Sequence, residues 1–113
     1  MALEFSTVRI ATPLVPLAEM MEHLGDLDPA NELAVTRYSA AAQAVVLAYL
    51  TTGADAAWTD ATVPDEVRSA IKLYAAHLYE HRGDDMDANG KPDPAVWAAI
   101  ANLLAFHRDP TLA

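Results

Sequence analysis

The pattern of apolar and polar positions divides the chain into four predicted helices. Apolar residues recur at helical spacing in each one, and proline, glycine and acidic residues mark the ends. We place the helices at residues 17–24, 29–50, 64–82 and 95–107. Residues 1–12 precede them as an extended N-terminal arm, and residues 109–113 form a short C-terminal tail. The predicted fold class is therefore all-α, a small four-helix domain with two longer central helices.

The second predicted helix is apolar on two sides. Projected at about 100° per residue, its polar side chains form one narrow stripe made of Glu32, Thr36, Ser39 and Gln43. One apolar flank consists of Leu33, Ala40, Ala44 and Leu47, and the other of Val35, Ala42, Val45, Val46 and Tyr49. Both flanks need a cover, which is either another part of the same domain or a second subunit. In the second case, the predicted subunit interface consists of Val35, Val45, Val46 and Tyr49.

Composition limits the function classes. The 113 residues allow a single domain over 1–113, and 24 alanines with only four glycines favour closely packed helices. The sequence contains no cysteine, which excludes disulfides, catalytic thiolates and Cys-ligated metals. A net charge of −9 argues against direct binding to DNA or to an anionic membrane. We also expect no membrane span and no signal peptide, since no long uncharged apolar stretch is present.

A histidine pair on the third predicted helix resembles part of a zinc site. His77 and His81 are spaced i, i+4, but Leu78 stands where the zinc-protease motif has Glu. A third ligand would have to come from His107 or from the acids of residues 84–87. Because tetrahedral zinc needs at least three protein ligands, we favour packing or interface roles for both histidines.

The acidic segment after the third helix resembles the first half of a calcium loop. Asp85, Asp87, Asn89 and Gly90 stand at its ligand and turn positions, but Val96 replaces the bidentate Glu. A solvated turn between two helices is the preferred interpretation. The sequence also contains no nucleophile elbow and no phosphate-binding glycine loop. We predict no metal, no cofactor, no catalytic residue and no enzymatic activity.

The third and fourth predicted helices carry a family resemblance. The segment 63–82 has a proline-initiated helix that ends in Tyr79-Glu80-His81-Arg82, and the segment 94–108 is a short helix with paired leucines and a terminal arginine. Upstream, residues 12–24 contain a short helix, and an acidic turn and a long alanine-rich helix come after it. This order and spacing resemble the head–tail connector (head-completion adaptor) family of tailed phages over about residues 13–108.

The resemblance implies a structural protein of the virion, made in the bacterial host cytoplasm. Such subunits form a homo-oligomeric ring, expected here as a dodecamer, between the portal protein and a stopper or tail-completion protein. By residue-wise carry-over, Tyr79 and Arg82 organise the end of the third helix, whereas Leu103, Leu104 and Arg108 anchor the last helix or contact the portal. The alternative for the first pair is that Tyr79 packs in the core and Arg82 caps its helix.

A ring changes what the acidic charge implies. An acidic wall repeated around a channel repels passing DNA and keeps it from sticking. We therefore expect many of the acids, first those of residues 84–87, to face the lumen, so that DNA passes through without specific binding. A hypothesis from another class fits length, charge and helix content equally well: a small acidic helical regulatory or antitoxin-like binding module, present as a monomer or dimer.

Overall fold

The computed structural model describes residues 12–50, 54–81, 94–105 and 107. This part of the chain contains α1 (Leu17–Leu24), a 3-10 turn (Pro29–Asn31), α2 (Glu32–Leu50), α3 (Asp65–Glu80) and α4 (Pro94–Leu104). No strand occurs among these residues, and the predicted all-α fold with two longer central helices is confirmed. Residues 1–11, the acidic segment 84–87 and the tail 109–113 lie outside the described ranges.

The predicted helix boundaries at Gly25 and Asp28 are confirmed by local geometry. Gly25 comes after α1 in the left-handed conformation at φ 72°, which favours glycine, and its N–H donates to the Glu22 carbonyl at 3.2 Å. The Asp28 side chain accepts a hydrogen bond from the Ala30 N–H at 3.0 Å. Pro29 occupies the first position of the 3-10 turn that leads into α2.

The ends of α3 and α4 come earlier than the sequence predicts. α3 ends at Glu80 instead of residue 82, because His81 leaves the helical conformation at φ −107° and ψ 19°. α4 ends at Leu104 instead of residue 107, because the His107 N–H bonds the Leu104 carbonyl at 2.9 Å, three residues back. Such tightened last turns are common where a helix runs out of i→i−4 partners.

The core of the domain lies between α2 and α3, with α1 and α4 packed against it. Val35 and Val46 are 0% exposed and belong to this core. The prediction that these two residues meet a neighbouring subunit is therefore wrong, because the chain's own helices already cover them. Val45 and Tyr49, from the same predicted interface, are half-buried and pack against the edge of the core.

The polar stripe of α2 is partly internal. Ser39 and Gln43 are buried, and the Gln43 side chain makes two hydrogen bonds to the backbone that precedes α1. Its Oε1 accepts from the Leu14 N–H at 2.8 Å, and its Nε2 donates to the Thr12 carbonyl at 3.0 Å. These bonds satisfy the buried amide and attach the lead segment to the middle of α2.

Most of the solvent-exposed side of α2 is alanine. We call this surface the open flank, and it consists of Leu33, Arg37, Ala40, Ala41, Ala44 and Ala48. Leu33 is 63% exposed. Of the first apolar flank predicted from the sequence, the structure leaves Leu33, Ala40 and Ala44 in contact with solvent but buries Leu47.

By length and composition, the helical stretch Pro29–Leu50 also qualifies as a candidate membrane span. The core helix of a folded domain passes the same test, and 39% of the qualifying window is buried within this chain. The apolar character of α2 is accounted for on its inner side by the core and on its outer side by alanine.

Candidate partner-binding site

Tyr79 joins the end of α3 to the turn between α1 and α2. The Tyr79 hydroxyl donates to Asp26 Oδ2 at 2.5 Å, and the half-buried ring meets Tyr38 edge to face with the centroids 6.2 Å apart. The edge-to-face arrangement is the favourable one for two aromatic quadrupoles. Tyr79 is therefore held within the chain by α2 and by the acidic turn. Its role in partner binding stays a prediction.

The Asp26 carboxylate is the centre of this arrangement. Besides the Tyr79 hydroxyl, it accepts from the Asn31 side-chain amide at 2.9 and 3.1 Å and from the Asp28 N–H at 3.2 Å. Hydrogen bonds to an ionised acceptor are about twice as strong as neutral ones. The acidic turn noted in the sequence thus has a structural role, because the Asp26 carboxylate joins the turn before α2 to the end of α3.

We expect Tyr79→Phe to destabilise the fold while preserving the ring contact. The variant loses one hydrogen bond to a carboxylate, which costs about 1–2 kcal/mol at a half-buried position and lowers the melting temperature by roughly 5–10 °C. Thermal unfolding measured by circular dichroism gives the change. Tyr38→Phe is the matched control, since it keeps the same aromatic pair. An equal loss in both variants would contradict the role of the Tyr79 hydroxyl.

The two histidines of α3 lie together. His77 is buried and His81 is half-buried, with ring centroids 4.5 Å apart. Within the described ranges, no group of three metal-ligating side chains is close enough to hold an ion. His107, considered above as a third ligand, instead has its Nε2 2.7 Å from Glu66 Oε1 at the other end of α3. The absence of a metal from this protein stays a prediction.

The two leucines of α4 have different surroundings. Leu104 is 0% exposed and lies in the core, so it anchors α4. Its predicted role as a direct partner contact is therefore corrected. Leu103 is half-buried at the edge of the core and retains some exposed surface. Arg82 and Arg108, the two other residues assigned by the resemblance, lie outside the described residues.

An aromatic cluster attaches α4 to the two central helices. The Trp97 ring meets Tyr49 of α2 at 5.3 Å and Tyr74 of α3 at 6.4 Å between centroids, both edge to face. Burial raises the pKa of the Tyr74 hydroxyl. The sequence pattern places these aromatic residues on helices, and the structure shows that they meet each other within the chain.

Sequence reasoning missed an ionic cluster between α1 and α3. Glu19 Oε2 lies 2.6 Å from Lys72 Nζ, and Glu19 Oε1 lies 3.5 Å from Arg68 Nη1. The Arg68 side chain also donates to the backbone carbonyl of Asp60. The i, i+4 spacing of the two basic residues is visible in the sequence, but their partner is about 50 residues away along the chain. The hydrogen bond from Lys72 is the main cause that lowers the pKa of Glu19.

We expect Glu19 to contribute an acid-sensitive part of the stability. Because its pKa is lower in the folded than in the unfolded chain, the contribution is complete above the unfolded value near 4.5 and is lost as pH falls toward the folded value. Urea midpoints measured between about pH 7 and about pH 3 should therefore fall less steeply for Glu19→Gln than for the natural sequence. Glu22→Gln, an exposed position on the same helix, is the control. Parallel curves for the natural chain and Glu19→Gln would refute this assignment.

Comparison of the chain with models of known protein families finds no match, and neither does comparison with curated proteins or with solved structures. The resemblance to the connector family therefore rests on the order and spacing of the sequence elements, and the function it implies is a proposal.

Proposed function

We propose that this protein is a structural subunit of a tailed phage or prophage-like particle, located at the head–tail interface of the virion. Its copies form a ring, expected as a dodecamer, that extends the DNA channel between the portal and the stopper or tail-completion protein. The observation that carries the proposal is the order of elements. The described elements are, in order, a short α1, an acidic turn, a long α2, an α3 that follows a proline and ends near Tyr79, and a short α4 that starts at Pro94. The sequence resemblance to the connector family implies the same order.

Ring formation needs two different faces on each subunit, because head-to-tail contacts are heterologous. Of the interface predicted from the sequence, Val45 and Tyr49 retain partial exposure, and the Tyr49 ring lies against Trp97 of α4. We propose this edge, where α2 meets α4, as one of the two faces. The acids of residues 84–87 are proposed to line the lumen, so that DNA passes without binding.

The proposed portal contact is the C-terminal end of α4 together with residues 105–108. Leu104 fixes α4 in the core, which leaves the half-buried Leu103 as the described residue of this region with surface for a partner. Arg108 lies outside the described residues and is assigned by the resemblance. Arginine at an interface often carries a large share of the binding energy, since it forms several hydrogen bonds and packs along its stem.

The first test is whether a portal gene lies beside the gene of this protein, and the second is whether the portal protein so identified binds it. We expect the two proteins to co-purify, and Arg108→Glu to weaken the affinity at least about tenfold, equivalent to about 1.4 kcal/mol, without changing the circular dichroism spectrum. Arg37→Glu, an exposed basic position on α2, is the control for charge alone. No complex with the portal, together with a monomer or dimer at high concentration by light scattering, would favour the regulatory or antitoxin-like module instead.

A further inference from the structure

The open flank of α2 has no cover from the described residues, and its chemistry is apolar. Leu33 is 63% exposed, and Ala40, Ala41, Ala44 and Ala48 continue the same surface along the helix. Arg37 is its single charged side chain.

The chain enters the described structure next to this surface. Thr12 is attached to α2 by the hydrogen bond from Gln43, and Leu14 is attached by a second bond to the same side chain. On a helical projection, Gln43 lies about 60° from Ala40, the nearest member of the open flank, and Thr36 and Leu47 lie between them. The described chain therefore starts, at Thr12, on a side of α2 that adjoins the open flank.

The length of residues 1–11 is sufficient to reach every part of the flank. Eleven residues extend to at most ~36 Å, whereas the ends of the flank, Leu33 and Ala48, are separated by ~22 Å along the axis of α2. The segment can therefore run along the flank in either direction from its attachment at Gln43.

The composition of residues 1–11 is complementary to the flank. Leu3, Phe5, Val8 and Ile10 supply large apolar side chains, which alanine surfaces accommodate at close range. The two charged side chains of the segment, Glu4 and Arg9, cancel each other, so charge does not select the occupant. Length, starting point and apolar content agree on residues 1–11.

We propose that residues 1–11 bind the open flank of α2 within the same chain. Attachment at Thr12 makes the binding intramolecular, and short linkers give effective concentrations in the millimolar range. A segment from another copy has to compete with this local concentration. The inference does not depend on the proposed function, since it concerns the isolated chain.

The experiment uses the absence of cysteine from the sequence, which allows a single site to be labelled. Ser6→Cys carries a nitroxide spin label, and the 15N-labelled chain is diluted into an excess of unlabelled natural protein. We expect the amide signals of Leu33, Ala40 and Ala44 to lose most of their intensity relative to the reduced sample. Signals of Ser69 on α3 and Ala98 on α4, both exposed, should keep theirs.

Charged substitutions give the second measurement. In the same labelled chain, Leu33→Glu and Ala44→Glu should each restore signal intensity along the flank, whereas Ser69→Glu, a matched exposed helix position, should not. Full intensity along the flank in the natural background would overturn the proposal, and so would an equal loss at Ser69 and Ala98. Loss of flank signals only when 15N-labelled natural protein is mixed with spin-labelled unlabelled protein would overturn it in favour of a second copy as the occupant.

Discussion

Val46→Asp should abolish the cooperative folding of this protein. The Val46 side chain is 0% exposed in the centre of α2, within the cluster that also contains Val35 and Ala42. An ionised carboxylate at this position has no counter-charge, and burying it costs several kcal/mol. The total stability of a domain of this size is only about 5–15 kcal/mol. We therefore expect a weak or absent thermal transition and a reduced helical signal in circular dichroism.

Ala34→Asp is the matched control for this prediction. It introduces the same side chain on the same helix, at an exposed position outside the open flank. We expect it to change the free energy of unfolding by no more than about 1 kcal/mol. Val46→Ala should fall between the two, at about 2 kcal/mol, because it loses two buried carbon atoms and leaves a small cavity. A Val46→Asp protein that melts like the natural chain, but has lost a higher oligomer, would restore Val46 to a subunit interface.

Trp97→Ala should remove most of what fixes α4 to the central helices. The Trp97 ring touches Tyr49 and Tyr74 at once, so the truncation removes two edge-to-face aromatic contacts together with buried area. We expect a loss of about 3 kcal/mol, at the lower end for a tryptophan truncation because the ring is half-buried. Urea unfolding measures the loss, and Trp58, the second tryptophan, supplies the fluorescence.

Trp97→Phe separates the aromatic contacts from simple volume. Phenylalanine keeps an aromatic ring against Tyr49 and Tyr74 and should recover more than half of the stability lost in Trp97→Ala. If Trp97→Ala loses less than about 1 kcal/mol, α4 is held by Ile100 and Leu104 in the core and the aromatic cluster is dispensable.

The helices of this domain were predictable because their signals are local. Gly25 and the proline before Asp65 act on neighbouring residues and mark boundaries within a residue of the observed ones. Asp28 caps a 3-10 turn, and α2 itself begins three residues later than predicted, at Glu32. The ends at Glu80 and Leu104 were missed because no glycine or proline stands directly after them. Periodicity extended the predicted helices past these ends, and of the added residues His81, Ala105 and His107 are not helical in the structure.

The residues that cover α2 were not predictable, because a helical projection shows how apolar each face of the helix is and does not say what packs on it. Gln43 looked like a member of a solvent-facing polar stripe, yet it is buried against a backbone about 30 residues away. The valine flank looked available to a neighbour, yet α3 and the core residues already occupy it. The sequence pattern allows either the same domain or a second subunit to cover these flanks, and only the tertiary structure decides between the two.

For the candidate site, the resemblance named Tyr79 but not its partner. Asp26 lies 53 residues away along the chain, and nothing local connects the two. The same holds for Glu19, which meets Arg68 and Lys72 across two helices. Pairings of this kind depend on how the helices cross, which is set by packing of the whole core.

The attachment of Gln43 to the lead segment has a practical consequence for handling this chain. Leu14 and Val15 are 0% and 1% exposed although they precede the first helix, so the described folded unit includes Thr12 and does not start at Leu17. Tags and engineered protease sites belong before Thr12, where they leave the Gln43 bonds intact. Shortening the chain to Leu17 would remove two core side chains and both backbone groups that bond Gln43. Aggregation of such a truncated protein would therefore result from the loss of residues 12–16 and would not show that the helices are unstable.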